Sequence, residues 1–212
     1  MLPCFVLTFG AALLSSAVGA PLHGRTSNAP IATASAQREV RALRDALLSL
    51  SATVSPHEAS RAAVRAHETA RDLRREYGVV GPPQFHNFLV NAGIRKRGLC
   101  HQWTRDLMAE LGELKLNTLE LHWGIARAGT LREHNSVVVT AKHQPFATGI
   151  VLDPWRHSGR LHVGLVAGDR YPWSEDVRDC LCERNRQRRR TAARLISVAA
   201  PRQLARTVHP PR

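Results

Sequence analysis

Three side chains in this sequence have the types needed to activate a thiol: Cys100, His134 and Asp153. Cys100 lies in Gly98-Leu99-Cys100-His101-Gln102-Trp103, just ahead of a helical run from Trp103 to Leu114. A thiol in the first turn of a helix meets the positive end of the macrodipole and free N–H groups, both of which favour the thiolate. His134 sits in Glu133-His134-Asn135 before a β-branched run, and Asp153 in Leu152-Asp153-Pro154-Trp155 at the end of another. A neutral thiol, with an ordinary pKa of about 8.5, is a poor nucleophile at neutral pH. An imidazole within reach takes its proton, and a carboxylate orients the ring and stabilises its positive charge. Taken singly, each residue has an ordinary use in packing, at a surface or in a turn. The expectation of a nucleophile, a base and an orienter comes from their order and from their places at element edges.

The elements that must position them follow from periodicity. Cys100, Trp103, Leu107, Leu111 and Leu114 recur at helical spacing, which puts the thiol on the buried face at the helix's N-terminal end. Leu119, Leu121, Trp123 and Ile125 alternate, predicting a strand with a polar opposite face. His134 to Ala141 predicts a second strand, Thr148 to Asp153 a third and Leu161 to Val166 a fourth. The 19 residues from His134 to Asp153 span two strands and a turn. In an antiparallel hairpin the start of one strand lies beside the end of the next, so this spacing predicts that the two side chains meet.

Ahead of this lie two helices. Val40, Leu43, Leu47 and Leu50 mark the first, which is expected to begin near Gln37. Ser55-Pro56-His57-Glu58 starts the second, with Ser55 as cap, Pro56 at the first position and Glu58 closing a capping box. Its face of Ala59, Ala63, Ala66, Ala70, Leu73 and Tyr77 predicts close packing on the first helix, with Gly78 ending it. Phe85 to Ala92 reads as a short helix and Gly93 to Arg97 as a basic loop leading to the cysteine. Helices first and strands after give an α+β expectation: an N-terminal helical hairpin (37–78), then a cysteine-bearing helix on a small antiparallel sheet (79–183).

The ends are different in kind. Phe5 to Val18 is almost wholly apolar and is followed by small residues, so residues 1–20 read as a secretory signal or an N-terminal anchor, and the chain as exported. Residues 21–36, rich in Ala, Ser, Thr and Pro, read as a linker. Removal of the signal would leave Cys100, Cys180 and Cys182, an odd number that predicts a free thiol. The net charge of +13 is concentrated in 184–212, where nine Arg stand with no acid; the rest carries 21 basic against 17 acidic residues. A basic nucleic-acid groove on the body is therefore not indicated. The tail, with Arg184, Arg186, Arg188, Arg189 and Arg190, suits an anionic surface or serves as a solvated end. His101, His122, His134, His143, His157 and His162 show no His-x-x-x-His spacing and no Cys-x-x-Cys accompanies them, so zinc is not expected, nor any cofactor. Trp103 and Trp155 are candidate cleft walls, and Trp123 is assigned to the core.

Gly98-x-Cys100-x-x-Trp103, Glu133-His134-Asn135-Ser136-Val137-Val138-Val139 and Val151-Leu152-Asp153-Pro154-Trp155 resemble the papain-like and transglutaminase-like superfamily. The compact spacing is most similar to the bacterial transglutaminase-like cysteine peptidases. The resemblance covers roughly Gly93 to Val166, under half of the chain. It implies Cys100 as nucleophile, His134 as base, Asp153 as orienter, a helix-on-sheet fold and a peptide or protein substrate. His101 stands where members often have an aromatic or acidic residue, and Asn135 where a small apolar residue is usual. No glutamine stands at the papain position ahead of the cysteine. The oxyanion donors implied are then the Cys100 N–H and a group from the preceding loop, for which Asn91 is the candidate. Two alternatives stay open: a catalytically silent binding module at the cell envelope, and a tail-driven binder of anionic surfaces.

Overall fold

The structure is a computed structural model that describes residues 29–178. The expected signal or anchor segment, Cys180, Cys182 and the basic tail lie outside the described residues. The described residues form four α-helices followed by a five-stranded sheet: α1 (Ala29–Ser49), α2 (Pro56–Glu76), α3 (Pro83–Asn91), α4 (Cys100–Gly112), β1 (Leu119–Ala126), β2 (His134–Ala141), β3 (Ile150–Asp153), β4 (His162–Leu165) and β5 (Trp173–Glu175). The strand order is β4-β3-β2-β1-β5, antiparallel throughout. This is an α+β architecture.

One apolar core joins the hairpin to the sheet. Leu43 and Leu47 of α1, Ala59, Ala63, Ala66 and Ala70 of α2, Leu107 and Leu111 of α4, and Val137, Val139 and Leu152 of the sheet belong to a single cluster. Alanine on α2 leaves little side-chain bulk between helices, so α2 packs closely between α1 and α4. The hairpin is thus a layer of the same core that carries the cysteine helix.

Three sequence expectations are corrected. Residues 29–36, expected as linker, belong to α1. The alanines that made this stretch look flexible are also the best helix formers, and Pro30 falls in the first turn, where a missing N–H costs nothing. The capping box is only half made. Ser55 Oγ accepts from Glu58 N at 3.5 Å, but the Glu58 carboxylate reaches across to Asn117 N and Thr118 N, both at 2.8 Å, and to the Thr118 hydroxyl. The loop entering β1 has unpaired N–H groups beneath the hairpin, and a buried carboxylate is what satisfies them. Burial raises the Glu58 carboxyl, yet these bonds outweigh it and hold it below the ordinary value. Finally, the sheet has a fifth strand beyond the four expected: β5, of three residues and too short to announce itself in sequence, pairs with β1, and its Glu175 and Thr140 of β2 bond the buried His122.

Candidate active site

The approach to Cys100 is fixed by four residues before and after it. Gly98 has φ +133°, and a Cβ there would stand 2.3 Å from His86 Nε2, so only glycine fits. His86 is buried; its Nδ1 accepts from Val80 N and its Nε2 donates to the Arg97 carbonyl at 2.9 Å. Gln102 Oε1 reaches back to accept from Gly98 N (2.7 Å) and Leu99 N (3.0 Å), and Trp103 Nε1 donates to Gly98 O. The loop is held from both sides, and Cys100 begins α4 at its first helical position. The cap residue, Leu99, has no side-chain acceptor to offer the first-turn N–H groups. The positive end of the helix is therefore left for an anion formed at Cys100.

His134 and Asp153 come together through strand register. Val137 pairs with Leu152 across β2 and β3, so His134, three residues earlier, lies diagonally past Asp153, one residue later. His134 Nε2 donates to Asp153 Oδ2 at 2.7 Å, with both side chains almost fully buried. Asp153 also accepts from Arg156 N on Oδ1 (3.0 Å) and from Arg156 Nε on Oδ2 (2.9 Å). Arg156 is in turn held by Asp169 at 3.1 Å. Burial alone would raise the Asp153 carboxyl; the His134 hydrogen bond and charge, with the Arg156 guanidinium, bring it below the ordinary range. Trp155 and Tyr171 rings stand 4.6 Å from the imidazole and Trp173 at 5.4 Å, so the ring is walled from water on those sides.

An ionised carboxylate only accepts, so Nε2 carries the proton and the nitrogen left for the thiol is Nδ1. Nδ1 is buried and has no hydrogen-bond partner at rest. Burial pushes the Cys100 thiol up, but the adjacent His134 ring and its charge, with the Asn135 backbone and side-chain N–H groups, outweigh it, so the net shift is downward. Burial pulls His134 down; the Asp153 hydrogen bond and then the Cys100 thiol reverse this and leave it pushed up to about 9. The thiol is lowered by the imidazole, and the imidazole is raised first by Asp153 and then by the thiol, so the two groups titrate as a coupled pair. The thiol itself is half-buried, with Sγ 3.9 Å from the Glu133 carbonyl and 3.9 Å from Asn135 Nδ2.

The structure thus brings Cys100, His134 and Asp153 to one place. Trp155 stands against the base, with its Nε1 donating to Asn87 Oδ1 of α3. Trp103 is 1% exposed and packs edge-on against Tyr77 beneath α4, so it braces the loop and walls no cleft. Asn91 is exposed at the end of α3, and the side-chain amide facing the sulfur is that of Asn135. Sequence reasoning missed Asn135, Arg156, Tyr171 and Trp173. Asn135 was visible as a polar residue opening an apolar strand; the others follow turns whose course no periodicity fixes. Among the described residues, no group of three or more His, Cys, Asp or Glu side chains is arranged to hold a metal ion.

Compared with family models, curated proteins and solved structures, the chain matches none.

Proposed function

We propose that this chain is an exported cysteine-dependent acyl-transfer enzyme, acting on amide bonds of a peptide or protein through a thioester on Cys100. The observation that carries this reading is the imidazole of His134. One nitrogen is bonded to a buried carboxylate at 2.7 Å and the other is left to a thiol that opens a helix. Cys100 gives its proton to His134 and the sulfur attacks the carbonyl carbon, whose π electrons move to oxygen. As the carbonyl re-forms, the C–N bond breaks, and the imidazolium protonates the departing amine. Water then attacks the thioester to give an acid, as in a peptidase or amidase, or a second amine attacks to give a new amide, as in a transglutaminase. The sequence resemblance to transglutaminase-like cysteine peptidases points to the same chemistry, and the pairing of helix N-terminus, strand start and strand end supports it.

The test is alkylation by iodoacetamide at neutral pH, read by mass spectrometry on the peptide containing residue 100. Cys100 is expected to react faster than free cysteine, with the signal and all hydrolysis lost in Cys100→Ala. A wild-type thiol that alkylates no faster than free cysteine overturns the proposal.

A further inference from the structure

The residue after the base has a side chain whose orientation is chemically forced. Trp123 Nε1 lies 2.8 Å from Asn135 Oδ1, in the buried core. An indole N–H only donates, so the end of the amide facing it must be the carbonyl. The NH2 end must then face the other way, toward Glu133 Oε1 at 3.3 Å and Cys100 Sγ at 3.9 Å. These are long bonds for so buried an amide. Asn135 is 5% exposed, on a strand buried along its whole length, and burying an amide there costs free energy that well-made hydrogen bonds would offset. Its carbonyl is fully used and its donors are only weakly used at rest.

Successive residues of a strand leave on opposite faces. His134 and Asn135 therefore send their side chains from different sides, and both interact with the same sulfur. One arm of this arrangement serves the proton and the other is free for the oxygen. We propose that Asn135 Nδ2 donates to the oxyanion that forms when Cys100 attacks, together with the Cys100 backbone N–H at the uncapped start of α4. Asn135 is then a catalytic residue, a role resting on the acyl-transfer reading above. As the S–C bond forms, the thiol proton goes to His134 and the carbonyl π pair goes to oxygen, where the amide N–H meets it. When the C–N bond breaks, that pair returns to the carbonyl and the hydrogen bond relaxes. Asn135 neither gains nor loses a proton. A donor 3.9 Å from the sulfur is too distant to bind it strongly, and leaves room for an oxygen attached to a carbon on that sulfur. Trp123, called core by its pattern and indeed buried, is the positioning residue that keeps the amide from turning over.

The experiment compares two reactions of the same thiol in the full chain. p-Nitrophenyl acetate acylates Cys100 through an oxyanion; iodoacetamide alkylates it by displacement, with none. Rates are taken at their pH-independent limits, so that any change in thiol ionisation drops out. In Asn135→Leu, acylation is expected to fall by about 10²- to 10³-fold, the usual consequence of removing one oxyanion donor, while alkylation changes little. Trp123→Phe, which keeps the ring but frees the amide, is expected to show the same split to a smaller degree, and serves if the leucine variant does not fold. Unchanged acylation in both variants, or a parallel fall in both reactions, overturns the proposal. If the wild-type thiol is neither alkylated nor acylated faster than free cysteine, the acyl-transfer reading itself fails, and that is seen before any variant is made.

Discussion

Two of the sheet's histidine–carboxylate pairs lie near opposite ends of β2. In one, His134 bonds Asp153 at 2.7 Å and faces the Cys100 thiol. In the other, His122 Nδ1 stands 2.7 Å from Glu175 Oε1 and its Nε2 2.9 Å from the Thr140 hydroxyl. Carboxylate, imidazole and a potential nucleophile are present in both, and the carboxylate-to-imidazole distance is the same. They differ in the third member and its surroundings. Thr140 has no exposure at all, lies mid-sheet with strands on either side, and has both its ring partner and its backbone committed to the fold. Cys100 is half-buried and begins a helix whose cap residue, Leu99, makes no side-chain cap bond. A hydroxyl also holds its proton far more tightly than a thiol. Satisfied on both ring nitrogens, His122 is a cross-strand tie; with Nδ1 unbonded, His134 is the imidazole proposed as the base. The inventory of residue types does not separate the two, and access and the state of the last nitrogen do.

The comparison breaks most decisively at the bases. His134→Gln is expected to slow Cys100 alkylation at neutral pH by about 10²- to 10⁴-fold, the usual range for losing a positioned base. His122→Gln should leave that rate near wild type. Equal losses from the two substitutions would show that the sheet, and not the particular imidazole, sets the reactivity.

A pH series sharpens it further. The folded His134 is raised from 6.5 to about 9, so its contribution to stability is fully present below 6.5 and is lost as pH rises through about 9. The folded Asp153 is lowered, so its contribution is present above 3.8 and is lost as pH falls through its depressed value. Thermal melts of wild type and His134→Gln, followed by circular dichroism, should therefore differ most below pH 6.5 and converge toward pH 9. A difference independent of pH across that window means the folded ring carries no charge.

The smallest effect is at the tie. Thr140→Val removes the hydroxyl and leaves His122 Nε2 without a partner, which is expected to cost about 1–3 kcal/mol of stability in denaturant melts. Cys100 alkylation should not change. A loss of reactivity in Thr140→Val would couple the two ends of β2.

Much of the route to the site was legible. The period-four apolar run carried Cys100 to the start of α4, and the β-branched run placed His134 at the first residue of β2, where the structure has it. The spacing to Asp153 worked because a hairpin register leaves little freedom once both strands are recognised. What escaped was local or long-range in a way that pattern does not encode. Alanine-rich residues 29–36 are compatible with linker and helix alike, and the rest of α1 decides between them. Glu58 has the right type and spacing for a capping box, yet a loop 59 residues away takes its carboxylate. Asn91 and Asn135 are the same residue type, one before the cysteine in sequence and one after it, and only the fold leaves the first exposed and turns the amide of the second onto the sulfur.

By itself, then, the sequence determined where helices and strands run, that the sheet is antiparallel, and which cysteine, histidine and aspartate sit at element edges, because periodicity and chain continuity are local properties. Tertiary structure decided which imidazole is bonded on both nitrogens and which keeps one unbonded, which amide faces the thiol, that Arg156 holds the carboxylate, and that Trp103 lies beneath the site. Those outcomes depend on burial and on the last available hydrogen bond, and both are set only when distant segments compete for the same space and the same donors.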